Sequence, residues 1–325
     1  MNLSPFTSHL SPCLIGLSPM DDITDLPFRQ LCKEMGADLL ITEFIASEAL
    51  NRDAEKSFRK MRFTEEQRPI GIQIFGANED ELLRCLDLVE QAQPDFIDIN
   101  WGCPVRKVAG KGAGSGILQD IPKMLRITSS MVKHAHLPVT VKTRLGYSAD
   151  SMMITDFCEA LQDTGIAALS IHGRTKTQMY SGVADWTMIG AVKNNPRMTI
   201  PIFGNGDITT AAQAVENKNR YGVDGILIGR GAIGNPWIFE QCQHAFRGEP
   251  EREISVKERV EVCRRHLLAA AEFKGERTAV FEMRKHYGAY FKGLFNFKPF
   301  RLALVATPTL EDTLAVLDHI EEHYN

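Results

Sequence analysis

The chain has 325 residues, a formal net charge of −4 and 44% apolar residues. That is enough apolar material for one large packed domain with a smaller one beside it. The mild acidity argues against a non-specific coat for nucleic acid, while leaving room for a local basic patch.

Eight short apolar runs recur along the first 230 residues: 14–20, 39–44, 70–76, 96–100, 139–143, 168–172, 200–206 and 225–230. Their starts lie 25 to 43 residues apart, the length of a strand followed by a helix. Near-continuous apolar strands separated by helical segments imply a parallel sheet covered by helices. Eight such units predict an α/β fold, a (β/α)8 TIM barrel, in preference to an open doubly wound sheet. From residue 249 the pattern changes. "EPEREIS" (249–255) reads as a polar linker, and segments 256–273, 277–295 and 309–323 have helical periodicity, with Thr309 as an N-cap. The expected division is a barrel over 1–248 and a small helical domain over 249–325.

The seven cysteines are scattered, with no CxxC pair and no cysteine–histidine cluster at zinc spacing. Neither a disulfide framework nor a metal site is expected, and a reducing cytoplasm is the natural location. The N-terminus has no basic segment leading into a long apolar core, and no apolar run reaches membrane-spanning length, so neither a signal peptide nor a membrane span is expected.

Barrel enzymes place their sites at the C-terminal ends of the strands. Here those ends carry Pro19-Met20-Asp21, Glu43, Gln73, Asn100 with Cys103, Lys142 with Arg144, His172 with Arg174, Asn205-Gly206-Asp207, and Gly229-Arg230. Polar residues begin wherever strands end, which accounts for some of these. A lysine and a histidine inside otherwise apolar strands favour a polar ligand site. The glycine-rich loop after Cys103 does not match a P-loop, because Gly110-Lys111 is followed by another glycine. "FGNGDITT" (203–210) and "IGRGAIGNP" (228–236) are the better phosphate loops: they follow strands seven and eight, and Arg230 adds charge. A phosphate there, with Lys142, Gln73 and Met20 on other strand ends, fits flavin mononucleotide (FMN) lying across the mouth. Cys103 has no recognisable base near it in sequence. A free thiol has a pKa near 8.5 and is mostly protonated at neutral pH. It is therefore a poor nucleophile and a reasonable proton donor, the alternative being a buried structural thiol.

Residues 257–301 hold 11 lysines and arginines against 5 acids. Arg277, Arg284, Lys285 and Lys292 fall within about 100° of one helix surface, where they could meet a phosphate backbone or simply face solvent.

The segments "PMDDITDLPFR" (19–29), "QIFG" (73–76), "DINWGCPVRKV" (98–108), "VTVKTRLG" (139–146), "HGRTKTQMYSGVADW" (172–186), "GNGDI" (204–208), "GRGAIGNPWIF" (229–239) and "MRKHYGAYFKG" (283–293) together resemble the tRNA-dihydrouridine synthase family, most closely its bacterial B-type branch. The resemblance spans nearly the whole chain. It implies reduction of the C5=C6 bond of uridines in tRNA, dependent on FMN and using NADPH. Hydride would pass from reduced flavin to C6 and a proton from Cys103 to C5. It further implies cofactor contacts at Pro19, Met20, Asp21, Gln73, Lys142, His172, Asn205, Gly206, Asp207, Gly229 and Arg230. Asn100, Arg144 and Arg174 would lie near the uridine. The helical domain, with Arg277, Arg284, Lys285 and Lys292, would bind tRNA. A monomer is expected. Ser18 and Trp101 depart from the family's usual residues without removing a functional group. The rival readings are an FMN barrel acting on a free pyrimidine, like a dihydroorotate dehydrogenase, and a tRNA-binding protein whose barrel is a relic. A basic helical domain speaks against the first, and retention of Cys103 and Lys142 against the second.

Overall fold

The computed structural model describes residue 6 and residues 13–324. Its nine strands are β1 (Leu14–Leu17), β2 (Leu40–Ile41), β3 (Ile45–Ala46), β4 (Ile70–Phe75), β5 (Phe96–Trp101), β6 (Val139–Arg144), β7 (Ala168–His172), β8 (Ile202–Asn205) and β9 (Gly225–Ile228). All pairings between them are parallel, in the order β1-β9-β8-β7-β6-β5-β4-β2, with β3 also on β4. A bridge between Gly16 and Leu39 closes the ring. A Cβ on Gly16 would lie 2.9 Å from the Leu39 carbonyl oxygen, so the seam closes only on glycine. The expected eight-unit barrel is what forms. The second apolar run, 39–44, forms only β2, and β3 follows just beyond it; between the two strands Thr42 Oγ1 accepts from Gln73 N, and Glu43 Oε1 accepts from Asp22 N.

Strand side chains alternate between two faces, and the alternation builds a two-storey interior. The lower storey is apolar: Phe6, Leu14, Leu39, Ile41, Phe96, Ala168, Phe203 and Leu227 form one buried cluster. Large rings fill space left by glycines, and a Cβ on Gly71 would fall 2.2 Å from the Phe96 ring. Two residues along each strand, the same face carries Gln73, Asp98, Thr140, Lys142, Ser170 and Asn205. A greasy floor under a polar upper storey leaves one end for chemistry. The opposite faces of the strands supply Ile72, Ile97, Ile99, Trp101, Val141, Leu169 and Ile171 to the layer beneath the helices. Trp101 packs there, fully buried, donating its Nε1–H to Thr128 Oγ1 at 3.0 Å. It is therefore no part of the pocket wall.

Beyond the barrel lie helices Val256–Lys274, Glu276–Tyr290, Lys298–Ala306 and Leu310–Tyr324. Ser255 and Thr309 cap the first and last, accepting from Glu258 N at 3.2 Å and Asp312 N at 3.1 Å. The second helix stops at Tyr290, not at 295, and the chain turns through Gly293 at φ 88°. Lys298–Ala306 is an additional helix, started by Pro299 in its first turn. The helices share a buried core of Val260, Cys263, Leu267, Val280, Met283, Tyr287, Tyr290, Leu304, Leu317 and Ile320, and Leu31 and Trp237 join it from the barrel's own helices. Polar ties reinforce that contact. Lys274 pairs with Asp25 and, at 2.6 Å, with Glu282, and Trp237 Nε1 donates to Glu258 at 3.0 Å. Among the described residues no helix is long and apolar enough to cross a membrane, and all seven cysteines are buried.

Candidate active site at the barrel mouth

Strand register places Asp98 directly opposite Gln73 on one side and Thr140 on the other. Its carboxylate accepts from Gln73 Nε2 at 2.6 Å and from Thr140 Oγ1 at 2.5 Å. A carboxylate accepts only, so the Gln73 amide must turn its NH2 towards Asp98 and its oxygen away. That oxygen accepts from Asn100 Nδ2 at 2.8 Å. Asn100 then presents its own oxygen to the backbone N–H groups of Gly102, at 2.9 Å, and Cys103, at 2.8 Å. One buried acid thus orients two amides in series and fixes the backbone at Cys103. Burial raises the Asp98 pKa to about 6, against the hydrogen bonds from Gln73 and Thr140 and the charge of Lys142. No short sequence motif contains this chain of contacts, because it runs across strands.

The other side of Cys103 is held as firmly. Its carbonyl accepts from Ser115 N at 3.0 Å and Ser115 Oγ at 2.8 Å. Between them the loop folds into a short helix, Arg106–Ala109, and a 3-10 turn, Gly114–Gln119. Gly114 sits at φ 52°, where a Cβ would meet the Cys103 carbonyl oxygen at 2.9 Å. The glycine-rich stretch is therefore a folded clamp on Cys103, with Arg106, Lys107 and Lys111 on its exposed side. Cys103 is 6% exposed. Burial pushes its thiol up, as does Asp21 more weakly; the Val105 N–H, Arg144 and Lys142 oppose the rise. The raised thiol keeps its proton at neutral pH, which suits an acid and not a nucleophile.

Cations gather at the mouth. Lys142 Nζ donates to Asn205 Oδ1 at 3.0 Å, and burial, together with the charge of Arg144, lowers its pKa to about 8. His172 is brought down to about 2, first by burial and then by Arg144, Lys142, Arg174 and Arg230. Its imidazole is neutral, and Nδ1 is buried without a partner. Asp207 is the nearby anion. It accepts from Arg174 NH2 at 2.6 Å, Arg230 NH2 at 3.0 Å and Ala184 N at 2.8 Å. Gly206 has φ 131°, and a Cβ there would strike Ala184 at 2.6 Å; one on Gly231 would strike the Ile208 carbonyl oxygen at 2.2 Å. The loops after β8 and β9 are thus packed against each other at Gly231 and Ile208. Met20 lies beside Gly229, whose Cβ would be 3.5 Å from the Met20 sulfur, and Pro19 precedes it at the same rim. Asp21 is exposed and paired with Lys60, which also reaches Glu43 at 3.4 Å.

Arg144 and Arg174 are buried, and their donors go largely to loop carbonyls. Arg144 bonds Gly102 O at 2.7 Å, Thr175 O at 3.0 Å and Met179 O at 2.8 Å. Arg174 bonds Ser181 O at 3.1 Å and Gly182 O at 2.6 Å, leaving NH1 buried without a partner. Both shape the 173–185 loop, whose Tyr180 lies beneath Arg144 at 5.6 Å and Arg230 at 5.1 Å.

The cationic stripe is only partly the free face that the sequence predicts. Arg277 is exposed. Arg284 donates to Thr307 O at 3.1 Å, and Lys285 Nζ donates to Asp22 O at 2.9 Å. Lys292 lies beyond the helix end at Tyr290, so helical spacing does not place it on that face.

A closed parallel barrel with catalytic-type side chains at its mouth defines a TIM-barrel protein. Solved barrels resemble it in fold: histamine dehydrogenase from Rhizobium sp. 4-9 at a TM-score of 0.55 and 11% identity, covering 80% of this chain and 50% of that one, and DHODH from Eimeria tenella at 0.50 and 13%, covering 71% and 79%. The model of the dihydrouridine synthase (Dus) family matches residues 16–325, and the chain belongs to that family. Relatives include a probable tRNA-dihydrouridine synthase of Rickettsia conorii, 35% identical over 95% of this chain and 93% of its own. Another is tRNA-dihydrouridine synthase B of Pseudomonas aeruginosa, 34% identical over 93% and 90%.

Proposed function

We propose that the chain is an FMN-dependent tRNA-dihydrouridine synthase, reducing the C5=C6 bond of particular uridines in tRNA with NADPH as reductant. The observation that carries the reading is Cys103: a protonated thiol, fixed from both sides, on the rim of a mouth whose charge balance favours an anion. Arg144, Arg174, Lys142 and Arg230 surround His172, with Asp207 as their close counter-charge. The orphan atoms His172 Nδ1 and Arg174 NH1, together with the tight glycine loops, fit a phosphorylated group.

In this reading Asn205, Gly206, Asp207, Gly229 and Arg230 hold the FMN phosphate corner. Pro19, Met20, Asp21, Gln73, Lys142 and His172 border the ring. The bound flavin supplies the hydride that C6 of the uridine receives. Cys103 donates its proton at C5. Asn100 keeps the thiol in place, and Arg144 and Arg174 shape the uridine pocket. The target base must leave its stack to reach this depth. Residues 1–248 act as the catalytic domain and 249–325 as the tRNA-binding domain, with Arg277, Arg284 and Lys285 on its RNA side and Lys292 just past the end of that helix. The protein works as a monomer in the cytoplasm.

The test is direct. Purified protein is expected to be yellow, and with NADPH to form dihydrouridine in unmodified tRNA but not from free uracil. Colourless protein that fails to take up added FMN overturns the flavin reading. Reduction of the free base at a comparable rate overturns the tRNA reading.

A further inference from the structure

On the outward face of helix Glu276–Tyr290, in the middle of the cationic stripe, stands an aromatic ring. Phe281 is 46% exposed. It lies four residues after Arg277 and three and four before Arg284 and Lys285, so helical geometry puts all four on one face. Val280, Met283 and Tyr287 take the opposite face into the core. The Arg284 guanidinium lies over the Phe281 ring, 4.2 Å from its centroid. Arg284 cannot swing away freely, because NH2 is bonded to Thr307 O and Nε is buried without another partner. It acts less as a free phosphate ligand than as a brace for the ring.

The surroundings are net cationic: residues 277–312 hold six lysines and arginines against three acids. Residues 283–310 include five lysines and arginines and no acid. The neighbouring acids are engaged elsewhere: Glu282 pairs with Lys274 at 2.6 Å, and Glu276 accepts from Leu310 N at 3.0 Å. The face is also continuous with the mouth, since Lys285 is bonded to Asp22 O, on the loop that carries Met20 and Asp21.

We propose that Phe281, braced by Arg284, is a stacking platform for an unpaired base of the tRNA whose uridine enters the mouth. This rests on the reading of the chain as a tRNA enzyme. An exposed aromatic ring among cations suits an unstacked nucleotide because every base offers a flat π face and every linkage a negative charge.

The experiment uses the full-length protein and an unmodified tRNA transcript, measuring affinity across a salt series. Phe281→Ala is expected to weaken binding about tenfold, with an unchanged salt slope, because no phosphate contact is removed. Phe281→Leu, which keeps apolar area but lacks the π face, is expected to be as weak as Phe281→Ala. Phe281→Trp is expected to keep full affinity and to show indole emission quenched on binding; Trp101, Trp186 and Trp237 are all buried, so the new indole is the exposed one. Wild-type affinity in Phe281→Ala, rescue by Phe281→Leu, a reduced salt slope, or unquenched emission overturns the platform. Dihydrouridine formation by the wild type on the same transcript separates the two ideas. If it proceeds while Phe281→Ala binds normally, only the platform falls. If the wild type neither binds nor modifies the transcript, the tRNA reading falls with it.

Discussion

The barrel mouth and the outer face of helix Glu276–Tyr290 both collect polar side chains, and they hold them by different means. At the mouth, cross-strand neighbours orient one another: Asp98 turns Gln73, Gln73 turns Asn100, and Asn100 fixes Cys103. Little water competes there, so a misplaced donor is costly and positions are rigid. On the helix face the partners are backbone carbonyls of neighbouring loops and a ring, and water competes. The first arrangement suits proton placement. The second suits a large polyanion that arrives and leaves.

The largest effect that would break this contrast lies at the thiol. Cys103→Ala is expected to lower dihydrouridine formation by about 10²–10⁴, while FMN content, flavin reduction by NADPH and tRNA affinity are retained. A normal rate in that variant would remove the proton donor from the scheme.

Acid should then act on both regions together. His172 is lowered to about 2 and His266 to about 3, both chiefly by burial, and burial also holds His286 well below its ordinary value. Each stays neutral in the fold and takes a proton only in the unfolded chain. Their stabilising contribution is therefore complete above about pH 6.5 and is lost as pH falls below it, at roughly 1.4 kcal/mol per pH unit for each histidine. Asp98, raised to about 6, has the opposite sign and recovers stability as pH falls through that value. Asp38 and Glu43 are raised by burial as well and act with Asp98, but the three histidines are lowered much further, so the urea midpoint is expected to be lower at pH 5 than at pH 7. A higher midpoint at pH 5 would show that buried acids dominate.

Asp98 offers a finer test. Asp98→Leu removes the acceptor that orients Gln73 and is expected to slow uridine reduction roughly 10- to 100-fold, with little change in tRNA affinity. Asp98→Asn keeps an oxygen for Gln73 Nε2 and is expected to recover most of the rate. Equal rates in the two variants would reduce Asp98 to a space-filling role. The smallest effect is at the helix face. Arg277→Glu should weaken tRNA binding a few-fold and lower the salt slope by about one or two, leaving turnover of bound tRNA unchanged in a single-turnover assay.

What the sequence reveals and what it hides follow the same division. Buried parallel strands read as apolar runs, so the barrel was legible, and Lys142 and His172 stood out inside such runs. The pairing of Asp98 with Gln73 and Thr140 depends on register between strands 25 and 42 residues apart, which no local pattern encodes. Helix Lys298–Ala306 is hard to see in "FNFKPFRLALVA" because it is only nine residues long and opens on a proline among aromatic rings. Phe281 is not legible as a surface residue, because an aromatic in a basic helix looks like a core residue until its face is known.

Leu31, in a barrel helix, and Trp237, at the N-cap of another, lie in the core of the C-terminal helices. The bearing of the C-terminal helices on the barrel is therefore set by apolar packing, together with the ion pairs of Lys274 to Asp25 and of Arg252, in segment 249–255, to Glu240 and Glu258. A cut at residue 249 would leave a tryptophan and a leucine bare on the barrel. An engineer exchanging C-terminal helices to redirect the enzyme to another uridine would have to exchange those two barrel residues as well.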